Sequence, residues 1–430
     1  MPTASTLTRA VSIPLRERLG ALAERPFRRL FSATTISTFG DAVEHVALAF
    51  AVLALPGAGP GDLGLVLAAR TVVNTLVVVG GGVVSDRVPR NIVLVGSSLV
   101  MGASQAVTAG LLLTDTAAVW SLILLAAVYG AGNGFVIPAE VGLVPQTVSA
   151  ARLQQANALQ GLSRNVVGVL GPALGGILVV AGSPGVALAI DAATFFLAAL
   201  LFASIRISGR IERQGASFFH ELREGWQEFT RHTWLWSTVL LFGVSNFVFV
   251  GCWAVLGPVV AKEELGGAGA WATVLSAWGV GAIVGGLAAL RYRPKRPLLA
   301  SVIVAWPLLG QLLALALYAP TWVLAAASFF SGAGIAMHLA LWFTVFQREV
   351  PAHAQSRVSS YDALGSFVLI PLGMAAVGPV AAAIGIQPTL WAAFGIALVC
   401  QVAIALVPSV RTIRAPAAEE TGGLTTIAPS

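Results

Sequence analysis

Long apolar segments recur along this chain, and short polar or basic segments separate them. Of its 430 residues, 57% are hydrophobic and only 10% are charged, whereas ordinary soluble domains carry about 25% charged residues. A helix needs about 20 apolar residues to cross the hydrocarbon core of a bilayer. The pattern therefore excludes a water-soluble globular protein and predicts an all-α membrane protein.

The apolar segments predict twelve transmembrane helices. We place them at residues 30-55, 62-84, 92-113, 118-141, 158-181, 185-205, 234-260, 269-290, 298-318, 322-346, 361-384 and 388-409. The longest polar interruption divides them six and six. The predicted domains are an N-terminal tail (1-28), a six-helix bundle (29-205), a linker (206-233), a second six-helix bundle (234-409) and a C-terminal tail (410-430).

Basic residues collect on one side of the predicted membrane. They lie in segments 9-29, 87-90, 152-164, 206-231, 291-296, 348-357 and 411-414, and only Lys262 falls in a loop on the other side. Because cytoplasmic loops carry an excess of arginine and lysine, we expect both termini in the cytoplasm and a multi-pass protein in the bacterial inner membrane. The net charge of +6 is then a topology signal, and no nucleic-acid partner is expected.

Two patterns refine this architecture. Residues 217-231 place large apolar side chains on one helical face, which predicts an amphipathic helix at the inner membrane surface; a solvated linker is the alternative. Tyr-Gly-Ala-Gly at 129-132 is echoed by Ser-Gly-Ala-Gly at 331-334, in the equivalent span of the second half. The echo predicts a duplicated six-helix unit.

The first span carries a polar stripe. Its members recur three or four residues apart and are Thr34, Ser37, Thr38, Asp41, Glu44 and His45. A charged side chain in hydrocarbon costs about 2.5–3.5 kcal/mol on insertion scales, so the stripe should line a wet central path. Arg70, in the second span, lies at a similar depth and is the expected counter-ion.

Asp41, Glu44, His45 and Arg70 are candidate proton-coupling residues. Burial favours a neutral carboxyl group, whereas a neighbouring guanidinium favours the carboxylate. A movement that separates the pair could therefore exchange the arginine for a proton. A purely structural ion pair is the alternative.

The same acidic stripe could be a metal site or part of a membrane-embedded hydrolase. It lacks a convincing third partner, and the chain has neither Gly-x-Ser-x-Gly nor His-Glu-x-x-His. The two cysteines, Cys252 and Cys400, lie far apart in apolar segments, which favours packing. We expect no metal, no cofactor and no enzyme activity, and we keep a membrane-embedded metal-dependent enzyme as a remote alternative.

Further polar and aromatic side chains in the spans are candidates for a substrate cavity. They are Asn74, Asn133, Asn246, His338 and Trp342. For each one, hydrogen bonding or packing between helices is the competing interpretation.

Three motifs carry a resemblance to a known family. Gly82-x-x-x-Asp86-Arg87-x-Pro89-Arg90 resembles the loop between spans two and three of the major facilitator superfamily, although Pro89 stands where glycine is usual and Asn91 where a basic residue is usual. Gly168-x-x-Gly171-Pro172-x-x-Gly175-Gly176 in span five resembles the pattern of its drug and proton antiporters. Residues 138-165 are similar to the branch that contains enterobactin and macrolide efflux proteins.

The resemblance, over residues 28 to 410, implies the major facilitator fold of two pseudo-symmetric six-helix bundles. It implies a gating motif made of Gly82, Asp86, Arg87 and Arg90, with Asp362 as a partner, and a hinge motif made of Gly168, Gly171, Pro172, Gly175 and Gly176. Simple topology and helix packing are the alternative interpretations of the two motifs.

The function that the resemblance implies is secondary transport. We expect a monomer that exports small amphipathic molecules, such as a drug, an antibiotic or a siderophore-like compound, by alternating access in exchange for protons. An uptake carrier of the same fold is the main alternative, and a channel is a third possibility. Span four lacks the arginine that many drug exporters carry there, which leaves the coupling chemistry open.

Overall fold

The computed structural model describes residues 20–85, 88–205, 218–351 and 354–415. Within these residues, twelve helical segments are long and apolar enough to cross a membrane, and no strand occurs. Numbered spans 1 to 12 in chain order, they are Arg25–Ala54, Pro60–Val78, Arg90–Leu113, Val119–Thr147, Ala150–Ala181, Pro184–Ala203, Thr233–Glu264, Ala268–Ala289, Pro297–Ala316, Thr321–Glu349, Arg357–Ile384 and Ile386–Leu406. The all-α membrane fold with twelve spans is confirmed.

Several spans extend beyond the apolar segments that predicted them. Span 1 begins at Arg25 where the apolar pattern begins at residue 30, and span 5 begins at Ala150 where the pattern begins at 158. Hydropathy detects only the part of a helix that lies in hydrocarbon, whereas a helix continues into the polar surface layer with charged side chains. Residues 1–19, 206–217 and 416–430 lie outside the described residues, so the predicted domain limits stay predictions.

In four spans the α-helix is interrupted part of the way along, and span 5 begins with the 3-10 turn Ala150–Arg152. The helix of span 4 ends at Asn133 and resumes at Val136, span 9 breaks between Val304 and Pro307, span 11 breaks between Phe367 and Ile370, and span 7 contains the π-helical turn Cys252–Leu256. Proline lies at the start of the resumed helices in spans 9 and 11, where its missing N–H leaves no intrahelical bond unmade. Interruptions of this kind inside helices are frequent at functional sites.

The two halves pack in the same pattern. Span 1 contacts spans 5 and 6 while span 2 contacts span 4, and correspondingly span 7 contacts spans 11 and 12 while span 8 contacts span 10. The halves meet along two seams, span 2 against span 11 and span 5 against span 8. The duplicated unit predicted from the sequence is therefore present as two pseudo-symmetric six-helix bundles.

Burial differs between the two ends of the molecule. We call the end that carries Arg25 and the linker the near end, and the opposite end the far end. The far-end cluster of buried apolar residues draws on both halves, including Phe50, Leu256 and Trp271. The other buried apolar clusters of the described residues each belong to one half. The halves are thus sealed together at the far end, whereas no shared apolar cluster joins the described residues of their near ends.

The linker contains the helix Phe218–Arg231, as its amphipathic pattern predicted. Phe229 is buried, and Trp226 packs edge-on against Tyr361 of span 11 with ring centroids 5.4 Å apart. Glu224 forms an ion pair with Arg357 at the start of the same span. The helix is therefore attached to the second half.

Candidate functional site

A cavity of about 360 Å³ lies between the two halves, directly below the far-end seal. Spans 1, 2 and 4 form its polar wall, with Asp41, Glu44, His45, Arg70, Thr71, Asn74 and Asn133. Spans 7, 8 and 11 form its apolar and aromatic wall, with Trp253, Ala254, Pro258, Trp271, Leu275 and Met374. The charged and amide side chains therefore come from the first half, which also contributes Leu48, Ala49 and Leu67, whereas the second half contributes apolar and aromatic residues.

Arg70 is held by the two carboxylates of span 1. Its Nη1 lies 2.7 Å from both oxygens of Glu44, and its Nη2 lies 3.2 Å from Oδ1 of Asp41. Only 1% of Glu44 is exposed, so this carboxylate depends on Arg70 for its charge balance. The pairing that the sequence predicted between spans 1 and 2 is present.

Tyr129 completes this network and was not predicted as a site residue. Its hydroxyl donates a hydrogen bond to Oδ1 of Asp41, and the guanidinium of Arg70 lies over its ring, 4.1 Å from the centroid. Cation–π contacts of this kind strengthen when the cation is desolvated. Gly130 permits the geometry, because a Cβ there would overlap the backbone of Arg70.

A sequence signal for Tyr129 existed. It is the tyrosine of the Tyr-Gly-Ala-Gly echo, and a buried tyrosine hydroxyl normally needs a hydrogen-bond partner. The second copy of the echo has serine at the corresponding position, Ser331. The tyrosine is therefore specific to the first half, which also carries the charged residues of the cavity.

His45 is the most accessible member of the group. Its Nδ1 lies 2.6 Å from the carbonyl oxygen of Asp41, and 61% of its side chain is exposed. Potential ligand atoms of Asp41, Glu44 and His45 lie within 4.8 Å of one another. In this conformation Arg70 lies in the space that both carboxylates face, so the two carboxylates hold a guanidinium.

Asp191 lies behind this network, inside the first half. It is fully buried, and its Oδ2 accepts a hydrogen bond of 2.7 Å from Nε2 of Gln105. It lies in the interior contact between spans 3 and 6 and is not among the residues that line the central cavity.

The predicted substrate-cavity residues are divided between two places. Asn74 and Asn133 line the central cavity, whereas His338 and Trp342 line a separate pocket in the second half. Asn246 donates a hydrogen bond of 3.0 Å to the carbonyl oxygen of Ser366. That contact fits the packing interpretation for Asn246.

The predicted gating motif is only partly described. Gly82 lies in the helix Pro60–Ser85, while Asp86 and Arg87 lie outside the described residues. Arg90 donates a hydrogen bond of 2.6 Å to the carbonyl oxygen of Gly142 and so ties span 3 to span 4. The latch to Asp362 stays a prediction.

The glycine motif of span 5 lies at two helix contacts. A Cβ at Gly171 or Gly175 would overlap span 1, and one at Gly176 would overlap Ala272 of span 8. Gly168 itself faces open space, although Gly279 of span 8 approaches its carbonyl oxygen. The helix runs without a break through Pro172, so these residues permit close packing, and a hinge at Pro172 stays a prediction.

Sequence similarity to known proteins identifies the family of this chain. The family described as "Transmembrane secretion effector" matches residues 17–422. The uncharacterized MFS-type transporter YfiS of Bacillus subtilis is 27% identical over 174 residues, which are 40% of this chain and 40% of YfiS. Macrolide efflux protein A of Streptococcus pyogenes is 21% identical over 210 residues, 48% of this chain and 52% of that protein. The chain thus spans about half, or less, of the length of these relatives.

Solved structures share the fold over nearly the whole chain. A bacterial homologue of the human lysosomal transporter Spinster, in an inward-facing and unoccupied conformation, matches with a TM-score of 0.67 and 15% identity over 91% of this chain and 99% of its own. A bacterial homologue of the iron transporter ferroportin, in an inward-facing state, matches with a TM-score of 0.68 and 15% identity over 88% and 98%. The chain belongs to the transmembrane secretion effector family, within the major facilitator superfamily of membrane transporters.

Proposed function

We propose that this protein exports small amphipathic molecules from the bacterial cytoplasm by alternating access, in exchange for protons. The observation that carries the proposal is the clamp of Asp41 and Glu44 on Arg70, placed on the wall of a central cavity that is sealed at one end. The partial match to macrolide efflux protein A favours export over uptake.

The cavity suits an amphipathic substrate. Trp253 and Trp271 pack against each other with ring centroids 4.6 Å apart and offer apolar surface. The opposite wall offers the amides of Asn74 and Asn133. Large aromatic surfaces with a few polar groups are typical of small-molecule sites.

The clamp provides a route for protons. When the halves rock and the distance between Arg70 and Glu44 increases, the buried carboxylate loses its counter-ion. A neutral carboxyl group costs much less to hold at membrane depth than a charged one, so a proton replaces the guanidinium. Return of Arg70 releases that proton, and His45, exposed in the cavity, offers a path for it.

The orientation of the protein completes the proposal. With both termini in the cytoplasm, the near end faces the cytoplasm and the far end faces outward. The basic residues collect at the near end, as the positive-inside bias requires. The described conformation then has its cavity accessible from the cytoplasm. A single chain supplies both walls of the cavity, so we propose that a monomer is sufficient.

Transport by purified protein in liposomes tests the coupling. Liposomes that contain the protein are loaded with a fluorescent macrolide, and release is followed with and without an imposed proton gradient. Asp41→Asn and Glu44→Gln should each reduce gradient-driven transport by about tenfold or more, the loss expected from removing a charged hydrogen bond.

Asp62→Asn is the matched control, because Asp62 lies in the first turn of span 2 at the far end, where its Oδ2 accepts a hydrogen bond from the backbone N–H of Gly59. It should transport like the wild-type protein. If both span 1 variants transport normally under the gradient, the coupling proposal is wrong. If the proton gradient does not change release by the wild-type protein, the proposal that export is coupled to proton exchange is wrong.

A further inference from the structure

A second pocket lies in the near-end part of the second half, between spans 7, 10 and 11. It has a volume of about 70 Å³ and is lined by Thr238, Val239, Phe242, His338, Leu339, Trp342, Phe343, Asp362, Ser366 and Phe367. A cavity whose volume is given as the space open to the centre of a water molecule needs about 10–15 Å³ to hold one water. The pocket therefore has room for a small head group, but not for a whole drug molecule.

Three aromatic rings form a continuous stack on one side of this pocket. Phe242 and His338 stack with centroids 5.6 Å apart and an interplanar angle of 20°, and His338 and Trp342 follow at 6.2 Å and 21°. The carbonyl oxygen of Ser301 lies 3.0 Å from Nδ1 of His338 and fixes the orientation of the middle ring. The stack thus presents a preformed aromatic surface.

A carboxylate lies at the end of this stack. The indole Nε1 of Trp342 donates a hydrogen bond of 3.1 Å to Oδ2 of Asp362, and Ser366 Oγ lies 3.3 Å from Oδ1. A carboxylate has about four acceptor sites, so both oxygens keep capacity for a ligand.

Asp362 lacks the basic partner that Asp41, Glu44 and Glu140 have. The buried Asp191 also has no ion pair among the described residues, but it lines neither of the two pockets. Asp41 and Glu44 have Arg70, and Glu140 has Arg164 at 3.6 Å. No basic side chain of the described residues forms an ion pair with Asp362. A partly buried carboxylate that no basic side chain of the described residues balances favours a cation as its partner.

We infer that this pocket binds the ammonium head group of an amphipathic substrate, with Asp362 as the counter-ion and the Phe242–His338–Trp342 stack as a cation–π surface. Leu339, Phe343 and Phe367 are 44%, 48% and 52% exposed and receive the apolar body of the molecule. The inference rests on the proposed function and names its substrate class as cationic amphiphiles.

The position of the pocket makes it an entry site. Phe242 of this pocket and Trp253 of the central cavity lie eleven residues apart in span 7, which corresponds to about 16 Å along a helix. A solute that enters from the near end meets the pocket first. It then reaches the central cavity and the Arg70 clamp.

Equilibrium binding tests the inference. The protein is placed in nanodiscs of phosphatidylglycerol, and binding of a fluorescent trimethylammonium dye is compared with that of the same dye carrying an uncharged tert-butyl group. The wild-type protein should bind the cation more tightly. Asp362→Asn should weaken binding of the cation by about tenfold and leave the neutral dye unchanged, which also reports an intact fold.

Phe242→Leu is a second variant that leaves the carboxylate in place. It should weaken binding of the cation about threefold, as the loss of one cation–π contact implies. Asp62→Asn, at the far end, should bind both dyes like the wild-type protein. Equal affinity of the wild-type protein for the two dyes, or unchanged binding of the cation by Asp362→Asn, would falsify the inference.

Two further conditions distinguish binding of a transported cation from a failure of proton coupling and from binding of a lipid head group. Binding is measured without a proton gradient, so a failure of proton coupling does not alter the result. Nanodiscs that contain phosphatidylethanolamine form a second arm, because that lipid also carries an ammonium group. If the lipid competes with the dye for the pocket, the site binds lipid head groups, and the assignment to a transported solute is overturned.

Discussion

Nη1 of Arg70 lies 2.7 Å from each of the two carboxylate oxygens of Glu44. The two side chains come from neighbouring spans, and little of either is exposed, 13% for Arg70 and 2% for Glu44. A pair at this depth is strongly destabilised when one partner alone is removed. That property allows its structural role and its coupling role to be separated.

Arg70→Gln alone should destabilise the protein by about 3 kcal/mol, because it leaves the Glu44 carboxylate buried and unpaired. The double variant Arg70→Gln/Glu44→Gln removes both charges and should recover most of that loss in thermal unfolding. Gradient-driven transport should stay absent in the double variant. Recovery of transport together with stability would make the pair purely structural.

Tyr129→Phe removes the hydroxyl that bonds Asp41 and keeps the ring beneath Arg70. A hydrogen bond to a charged group contributes about 1.5–3 kcal/mol, so gradient-driven transport should fall about tenfold while the protein still folds. Tyr292→Phe is the control, because Tyr292 is 42% exposed and lies outside the spans. If Tyr129→Phe transports like the wild-type protein, the hydroxyl of Tyr129 has no role in proton coupling.

Gly281→Leu should prevent close contact between spans 8 and 10, because a Cβ there would overlap the backbone of Phe329. Overpacking of this kind costs about 3 kcal/mol, which should appear as a lower unfolding temperature and a lower yield of monodisperse protein. Gly286→Leu, one and a half turns along the same helix, faces open space. Equal stability of the two variants would contradict the observed contact.

Lys262→Met should weaken the far-end seal, because Nζ of Lys262 donates a hydrogen bond to the carbonyl oxygen of Leu53 and so joins span 7 to span 1. Loss of about 1 kcal/mol from this contact shifts the population toward far-end opening about fivefold. The measurement is the rate at which a membrane-impermeant thiol reagent, added at the far end, labels Ala254→Cys in the cavity of a protein that lacks Cys252 and Cys400.

Lys262→Arg keeps a donor and is the matched control for that experiment. It should label at the rate of the protein with an unchanged Lys262. An unchanged rate in Lys262→Met would mean that the apolar far-end cluster alone keeps the two halves together.

Part of the site could be read from spacing within a helix. Asp41 and Glu44 lie three residues apart, which places them on neighbouring positions of one face, and their cost in hydrocarbon required a partner such as Arg70. Tyr129 was not predicted, because its role depends on the close approach of spans 2 and 4 at Gly130. A contact between helices has no periodic signature in the sequence of either helix.

In the second pocket, too, the sequence indicated individual residues but not the contacts between helices. His338 and Trp342 stood out as polar and aromatic residues in an apolar span, but their sequence positions do not tell whether they face the central cavity, another helix or lipid. The rotation of span 10 against spans 7 and 11 places them beside Asp362, away from Asn74 and Asn133. The predicted single cavity set is therefore distributed over two pockets.

The sequence by itself determined the twelve spans, their division into two halves and the presence of charged residues at membrane depth, because the bilayer imposes length and polarity on each segment separately. Only the tertiary structure decided which charges pair, which glycines contact another helix and which end is sealed. Those features depend on the rotation and approach of helices that are distant in the chain, and packing between side chains sets both.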